Sequence, residues 1–209
     1  IYIAIPEEES VVILNSDGEL KNRIGRPKSA IVPDSMVYKP KRVALGNDGN
    51  INVVAEGCYF GMAVFNTRGE FLRFFGSNKV SASVESFIAS LKDIFLNEDQ
   101  KRKTERILPA EYSSMDIDNE GFFYSVITKA TGSTSQVKKH SPSGENILPS
   151  NDGFGDLETS IANGTVVTSS LTDIAVDDDG FIFVADSQRN KVFNYSQRAE
   201  LLSVFGTTG

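Results

Sequence analysis

The sequence contains one cysteine and one histidine, and it contains no tryptophan. The single cysteine, Cys58, excludes an intrachain disulfide and any metal site that needs several thiolates. Because Cys58 lies among apolar residues, we expect it to be a packed thiol. The single histidine, His140, excludes a metal site of several imidazoles, and a Ser-His-Asp triad would have to use it. Its position beside Lys138 and Lys139 at a strand end predicts an exposed side chain.

The sequence also lacks a long apolar run. No segment approaches the roughly 20 apolar residues that span a bilayer as a helix, so we expect no membrane span in this segment. Residues 1–5 are apolar, but no signal-peptide pattern surrounds them, and we interpret them as the inside of a strand in a mature or truncated product. A single cysteine fits both the cytoplasm and the bacterial cell envelope, and of the two we favour the extracytoplasmic location.

Basic residues are outnumbered by acidic ones. The formal net charge is −7, and an acidic domain repels a phosphate backbone, so we expect no nucleic-acid partner, RNA included. The basic residues 101–103 lie among Glu98, Asp99 and Glu105, a mixture that is typical of a solvated helix face. The hydrophobic share of 40% and the charged share of 23% are typical of a folded globular protein.

A pattern of four short apolar segments separated by turn residues repeats along the chain. The clearest copy spans residues 170–206, and similar copies span 40–76 and 112–149. Residues 1–25 align with 182–206 without a gap, as a copy that lacks its first segment. The spacing therefore predicts four repeated units within one domain.

Glycine recurs at two turn positions of the repeat, after residues such as Asp and Asn that tolerate a left-handed backbone. We expect six glycines to act as structural turn residues: Gly18, Gly49, Gly69, Gly121, Gly144 and Gly180. The last copy has Ala199 at the second turn position, which predicts a different turn type there.

The apolar segments are rich in β-branched and aromatic residues, which predicts strands buried on both faces. Four such strands joined by tight turns form an antiparallel sheet, and sheets of this kind bury one another by packing face to face around an axis. The sequence therefore predicts an all-β protein with β-propeller architecture. We expect Phe183 to point into the core, so that Phe183→Ala would cost roughly 3–5 kcal/mol.

The copy from Ser170 to Gly206 resembles an NHL repeat, with its Ala-Val-Asp-x-Asp-Gly turn, its Phe-Val-Ala-Asp strand and its final Val-Phe-Gly. The copy that begins at Pro40 resembles it too, but Ala55 stands near the position where the family commonly has Asp. The third copy is weaker, since residues 133–135 replace the usual polar link. The resemblance implies a bacterial NHL-repeat protein with a six-bladed propeller, of which this chain holds about four four-stranded blades, the first incomplete.

Residues 81–108 break the repeat. Val84, Phe87, Ile88 and Leu91 fall on one face of a helix, and Pro109 ends the helical pattern. We interpret this segment as a small helical insertion, which either covers a propeller edge or forms a lid or partner-binding element near the central channel. Residues 157–168 are interpreted as an inter-blade loop or as the outer strand of a blade.

No constellation of catalytic residues is evident. The acidic residues 177–179 lack the ligand spacing of a calcium loop and fit turn chemistry instead. Residues 7–9 are expected to be a solvated acidic run, and residues 152–156 lack the lysine and helix of a phosphate-binding loop. We therefore expect no catalytic residue, no metal site and no cofactor.

Two functions remain open at this point. The first is a binding or interaction scaffold for a protein, peptide or saccharide. The second, implied by some six-bladed relatives, is a lactonase- or lyase-like enzyme with one divalent metal held by Glu, Asp and Asn in the channel. An incomplete propeller also exposes sheet edges, through which copies of the chain could associate.

Overall fold

The computed structural model describes residues 1–30, 32, 36–77, 110–128, 136–149, 154–155, 160–162, 165–167 and 169–206. These residues form strands and one short 3₁₀ helix, η1 (Pro6–Glu8). The predicted helical insertion 81–108, which includes the basic residues 101–103, lies outside the described residues. Within the described ranges, no helix is long and apolar enough to cross a membrane.

The first two sheets come from the N-terminal part of the chain. Sheet I consists of β1 (Tyr2–Ile5), β2 (Ser10–Leu14) and β3 (Leu20–Ile24). Sheet II consists of β4 (Lys39–Leu45), β5 (Ile51–Glu56), β6 (Met62–Phe65) and β7 (Phe71–Phe75). The central strands β2 and β5 are rich in Val and Ile and are buried on both faces, because branched side chains favour extended backbone and pack well on a pleated surface.

The other two large sheets follow in the same order. Sheet III consists of β8 (Ser114–Ile117), β9 (Phe123–Val126) and β10 (Val137–His140), and an isolated bridge between His140 and Asn146 extends it. Sheet IV consists of β13 (Leu171–Val176), β14 (Ile182–Asp186), β15 (Lys191–Tyr195) and β16 (Leu201–Phe205). Between them, β11 (Ser160–Ala162) and β12 (Thr165–Val167) form a hairpin of their own. The described residues of the segment 157–168 therefore form a separate two-stranded hairpin, and not the predicted loop or outer strand of a blade.

Five of the six tight turns that end in glycine begin with a side chain that binds the turn's own backbone, whereas the turn of Gly49 begins at Gly46. Asp177 Oδ1 accepts hydrogen bonds from the N–H of Asp179 at 3.1 Å and of Phe181 at 2.8 Å, and Asn66 plays the same part in sheet II. The acidic residues 177–179 therefore serve a turn, as predicted. The six glycines at these turns have φ between +78° and +89°: Gly18, Gly49, Gly69, Gly121, Gly144 and Gly180.

The second turn of sheet IV keeps this geometry with alanine in place of glycine. Ala199 has a φ of +62°, and its N–H donates to the carbonyl oxygen of Ser196 at 2.9 Å, as the N–H of Gly69 donates to Asn66. The prediction of a different turn type is therefore wrong. Ala199 is buried in an apolar cluster, and this burial offsets part of the cost of the left-handed backbone.

Gly18→Ala should lower the free energy of unfolding by about 1 kcal/mol. A Cβ at Gly18 would meet no atom within 4 Å, so only the backbone φ of +83° opposes the substitution. Gly25→Ala is the matched control, because a Cβ there also meets nothing within 4 Å and the backbone is not left-handed. Urea unfolding measures both variants, and equal losses of stability would contradict this explanation.

The described residues form three apolar core clusters, each lying between two sheets that follow one another in the chain. We call the face of a sheet that packs against the next sheet its trailing face, and the opposite face its leading face. The trailing face of sheet I and the leading face of sheet II form the first cluster, with Val11, Ile13, Ile24, Ile51, Val53 and Phe65. The buried thiol of Cys58 belongs to this cluster, as predicted, and burial raises its pKa to about 12.

The same contact repeats twice. The trailing face of sheet II meets the leading face of sheet III through Val54, Met62, Val64, Phe75, Met115 and Phe123. The trailing face of sheet III meets the leading face of sheet IV through Tyr124, Val126, Val137, Ile182, Val184 and Phe193. The first strands also contact one another, β8 touching both β4 and β13, so the sheets radiate from one axis. The predicted all-β class and β-propeller architecture are confirmed.

The expectation for Phe183 is wrong. Ile182 and Val184 are buried and belong to the cluster between sheets III and IV, whereas Phe183 is only half-buried. Successive residues of a strand point to opposite faces, and Phe183 pairs with Asn194 on the trailing face. The sequence pattern identified the strand correctly but assigned its aromatic residue to the wrong face.

Candidate functional site

Three inner strands carry polar residues at one equivalent position. Arg42 in β4, Ser114 in β8 and Asp173 in β13 each lie seven residues before the glycine that ends the following hairpin, namely Gly49, Gly121 and Gly180. Because the strands lie side by side around the axis, equivalent positions lie at one level. We call these three residues the inner-strand cluster.

The three side chains of the inner-strand cluster bind one another. Arg42 Nε donates to Ser114 Oγ at 3.0 Å, and the Ser114 hydroxyl donates to Asp173 Oδ1 at 2.5 Å. The Arg42 guanidinium also pairs with Asp173 Oδ2. Ser114 is buried, while the side chains of Arg42 and Asp173 remain 48% and 43% exposed. The cluster therefore spans three sheets and still presents a cation and an anion to solvent.

Local irregularities of the strands orient the two charged residues. The register of β4 against β5 shifts between Pro40 and Arg42, and that of β13 against β14 shifts between Leu171 and Asp173. Such β-bulges bend a strand and redirect the side chains beside them. Asp173 Oδ1 also accepts a hydrogen bond from the N–H of Ile174 at 3.0 Å, which fixes the carboxylate against its own strand.

Further hydrogen bonds join sheets II, III and IV at the hairpin end of the inner strands. Asn119 Nδ2 donates to Asp178 Oδ1 at 2.9 Å, and Asn47 Nδ2 reaches the carbonyl oxygen of Asn119 at 3.5 Å. These three residues are equivalent, each lying two positions before its hairpin glycine. Asp116 Oδ2 accepts from the N–H of Val176 at 2.8 Å. The spacing between neighbouring inner strands is thus held by side chains as well as by apolar packing.

The predicted exposure of His140 is wrong, because the residue is buried between sheets II and III. Its Nε2 lies 2.7 Å from Ser125 Oγ and its Nδ1 lies 3.3 Å from the carbonyl oxygen of Gly144. A carbonyl oxygen only accepts, so Nδ1 carries the proton and Nε2 accepts from the Ser125 hydroxyl. Burial lowers the pKa of His140 to about 4. The imidazole is therefore neutral at pH 7.

Glycine allows this burial. A Cβ on Gly76, at the end of β7, would lie 2.9 Å from the His140 ring, so the sheets can approach only because residue 76 has no side chain. The rings of Phe75 and Tyr112 pack against the imidazole with centroid distances of 5.7 and 5.5 Å. Ser125 is fully buried with His140, so no substrate reaches the serine–histidine pair. Both residues belong to sheet III, where their hydrogen bond ties β9 to β10 beside Gly76 of the neighbouring sheet, and the buried pair is not a nucleophile with its base.

The other sequence-predicted residues lie apart from the inner-strand cluster. Residues 7–9 are exposed, as predicted, and Glu8 pairs with Arg23. Of residues 152–156 the structure describes Phe154 and Gly155, and the N–H of Gly155 donates to the Tyr195 hydroxyl at 2.7 Å. Among the described residues, no group of three or more His, Cys, Asp or Glu side chains is arranged to hold a metal ion.

Sequence reasoning did not single out Arg42, Ser114 or Asp173. The sequence feature that could have identified them is their equal distance from the hairpin glycines. When the copies are aligned on these glycines, the three residues fall at the same position of the inner strand. The three residue types differ, and only the aligned positions connect them. A search for similar residues at similar spacing therefore overlooks the cluster.

Comparisons with known proteins agree with the fold. No protein-family model matches the chain, and no curated protein matches it in sequence. Among solved structures, a streptogramin B lyase matches 98% of the chain with a TM-score of 0.56 at 11% identity. A protein of unknown function from Bacteroides caccae matches 98% of the chain with a TM-score of 0.51 at 13% identity, over 59% of its own length. The chain spans 50% of the lyase.

A third match is the extracellular domain of a hybrid two-component system protein from B. thetaiotaomicron. It covers 95% of this chain and 20% of its own, with a TM-score of 0.50 at 10% identity. At such identities these similarities concern the fold alone. They agree with the β-propeller architecture described above.

Proposed function

We propose that the chain is part of an NHL-like β-propeller that acts as a binding scaffold, holding a protein, peptide or saccharide at the inner-strand cluster. The observation that carries the proposal is the half-exposed pair of Arg42 and Asp173, which consecutive sheets bring together around buried Ser114. The pair lies at the axis of the propeller, where several sheets can contribute to one ligand.

The chemistry of the cluster suits a ligand with hydroxyl or amide groups. The bonds to Ser114 and Asp173 leave other N–H groups of the Arg42 guanidinium free to donate, and the half-exposed Asp173 carboxylate can accept further bonds. A peptide backbone and a sugar both present donors and acceptors at close spacing. Because Arg42 and Asp173 are already paired, their geometry is set before the ligand arrives, which lowers the entropic cost of binding.

The NHL-like character is supported by Asp186, at the end of the Phe-Val-Ala-Asp strand. Its Oδ1 accepts from the N–H groups of Ser170, Gln188 and Arg189 at 3.0, 3.0 and 3.2 Å. One carboxylate thus ties the start of β13 to the loop after β14. Ala55 stands at the equivalent place in sheet II, and it cannot make these bonds, so the repeat pattern is strongest in sheet IV.

Arg42→Gln and Asp173→Asn should each weaken ligand binding by at least tenfold, because each removes a charged hydrogen-bonding partner at the centre of the site. The measurement is binding of the wild-type chain and both variants to glycan and peptide arrays, followed by titration of the hits. Arg68→Gln and Glu70→Gln are matched controls, since this exposed ion pair lies on an outer turn.

Hits that bind the Arg42 and Asp173 variants as tightly as the wild type would contradict the assignment of the site. Turnover of a lactone or ester that depends on calcium or zinc would favour the metal-dependent enzyme instead. The array experiment and the turnover assay therefore separate the two functions.

A further inference from the structure

A second polar group lies beside the inner-strand cluster, at the start of β4. Lys39 Nζ lies 3.7 Å from Glu56 Oε1, and Lys41 Nζ lies 3.3 Å from Glu56 Oε2. The three side chains are between 40% and 50% exposed. We call Lys39 and Lys41 the lysine pair. Because both ammonium groups share one carboxylate, one positive charge of the lysine pair has no counter-charge within this group.

The strand register places the lysine pair on the same side of sheet II as Arg42. Arg42 pairs with Val54, and Lys39 pairs with Glu56, two residues further along β5. Residues two apart in a strand share a face, and Val54 packs on the face towards sheet III. Lys41 is the extra residue of the β-bulge before Arg42, and its contact with Glu56 returns its side chain to that face. The lysine pair therefore lies next to the inner-strand cluster.

The combined site carries more cations than its carboxylates can pair. Arg42 and the lysine pair bring three positive charges, while Glu56 and Asp173 bring two negative ones. This local excess stands against a net charge of −7 for the whole chain. Glu111, a further acidic residue near β5, accepts a hydrogen bond from the N–H of Gly57 at 3.0 Å, so this carboxylate serves the backbone. A ligand with one carboxylate would complete the pairing.

The inner strands offer side chains to a ligand, but little backbone. Asp173 Oδ1 accepts from the N–H of Ile174. Asp116 accepts from the N–H groups of Ile117 at 2.9 Å and Val176 at 2.8 Å. These three N–H groups therefore cannot pair with an added peptide strand, which binds mainly through backbone hydrogen bonds. A sugar binds through hydroxyl groups that each donate and accept, and neighbouring hydroxyls suit the adjacent cation and anion of the inner-strand cluster.

We propose that the ligand of this site is an acidic saccharide, which places a uronate carboxylate on the lysine pair and neighbouring hydroxyl groups on Arg42 and Asp173. This assignment rests on the binding function proposed above and narrows it. Lys41 and Arg42 are consecutive residues whose Cα atoms lie about 3.8 Å apart, so one sugar ring can reach both side chains. The carboxylate adds charge-assisted hydrogen bonds, which are stronger than those between neutral groups.

The test is calorimetric titration of the wild-type chain with oligosaccharides of galacturonate, glucuronate and mannuronate, each compared with its methyl ester. The ester keeps every hydroxyl group of the sugar and removes the charge. We expect the acid of at least one pair to bind about tenfold more tightly than its ester. This ratio should shrink as the salt concentration rises, because ions screen exposed charges.

Substitutions within the lysine pair identify the residues that prefer the acid. The double variant Lys39→Gln with Lys41→Gln should bind acid and ester alike, because it removes the charge that distinguishes them. Glu56→Gln should raise the affinity for the acid roughly threefold or more, because it removes the carboxylate that competes for the lysine pair. Lys21→Gln is the matched control and should change neither affinity, since Lys21 is an exposed lysine on the outer strand β3. A melting curve shows whether each variant is folded.

The acidic ligand and the scaffold function fail by different results. An ester that binds as tightly as its acid, while Arg42→Gln weakens both, would overturn the acidic ligand and leave the scaffold function intact. So would an oligoglutamate peptide that binds more tightly than every uronate, or a lysine double variant that still prefers the acid. If no saccharide and no peptide binds, the scaffold function fails as well.

Discussion

Phe193→Ala is expected to lower the free energy of unfolding by about 3–5 kcal/mol. Phe193 is 2% exposed and lies in the cluster that joins sheets III and IV, so truncation leaves a cavity that the surrounding strands cannot fill. Phe183→Ala, ten residues earlier on the trailing face of sheet IV, should cost only about 1 kcal/mol, because a half-exposed ring loses less apolar burial.

Both substitutions are best measured by urea unfolding of otherwise unchanged protein. The comparison holds the residue type and the sheet constant and changes only the face. If Phe183→Ala were as costly as Phe193→Ala, the assignment of buried and open faces would be wrong. The order in which the sheets pack would then be wrong as well.

The stability of the protein is expected to fall as the pH drops from about 6.5 to about 4, in part because of His140. Burial lowers the folded-state pKa of this residue from 6.5 to about 4, so in this range the unfolded chain binds a proton that the folded chain excludes. Above pH 6.5 the imidazole is neutral in both the folded and the unfolded chain, so His140 causes no loss of stability. Below pH 4 it is protonated in both states, so no further stability is lost. The total is roughly 3 kcal/mol.

His140→Gln is the variant that isolates this effect, since an amide keeps a donor and an acceptor and does not titrate. Carboxylates titrate in the same range, so the quantity to compare is the difference between wild type and variant at each pH. The pKa itself can be read from the proton spectrum, because the sequence contains one histidine. A pKa near 6.5, or equal pH dependence of the two proteins, would show that the imidazole is exposed.

The fold was predictable from the sequence because its turns repeat. Glycines at regular spacing, preceded by Asp or Asn, indicated the turns between short antiparallel strands. Sheets of such strands have apolar residues on both faces, and they bury both faces by packing against one another. The all-β class and the propeller architecture follow from this pattern alone. The pattern did not reveal that Ala199 adopts the same left-handed turn. Alanine disfavours this backbone conformation, and the burial of Ala199 in an apolar cluster offsets part of the cost.

The faces and the site were harder to predict. Phe183 and Ile182 are both apolar, and only the neighbouring sheet decides which of them is buried. The two neighbouring lysines predicted that His140 is exposed, but Gly76 of another sheet makes room for its ring. Arg42 and Asp173 are 131 residues apart in the sequence, and their contact depends on three sheets meeting at one axis. Such contacts become visible only when the repeats are stacked.

The most direct test of the central claim is to map, by NMR, where an array-selected saccharide or peptide binds to the isotope-labelled chain. We expect the largest chemical-shift changes at backbone amides of the inner strands β4, β8 and β13, above all around Ser114 and Ile174. The same titration with Asp173→Asn should show much weaker changes. Shifts confined to the outer turns, such as residues 66–70, would contradict the claim that the ligand binds at the inner-strand cluster.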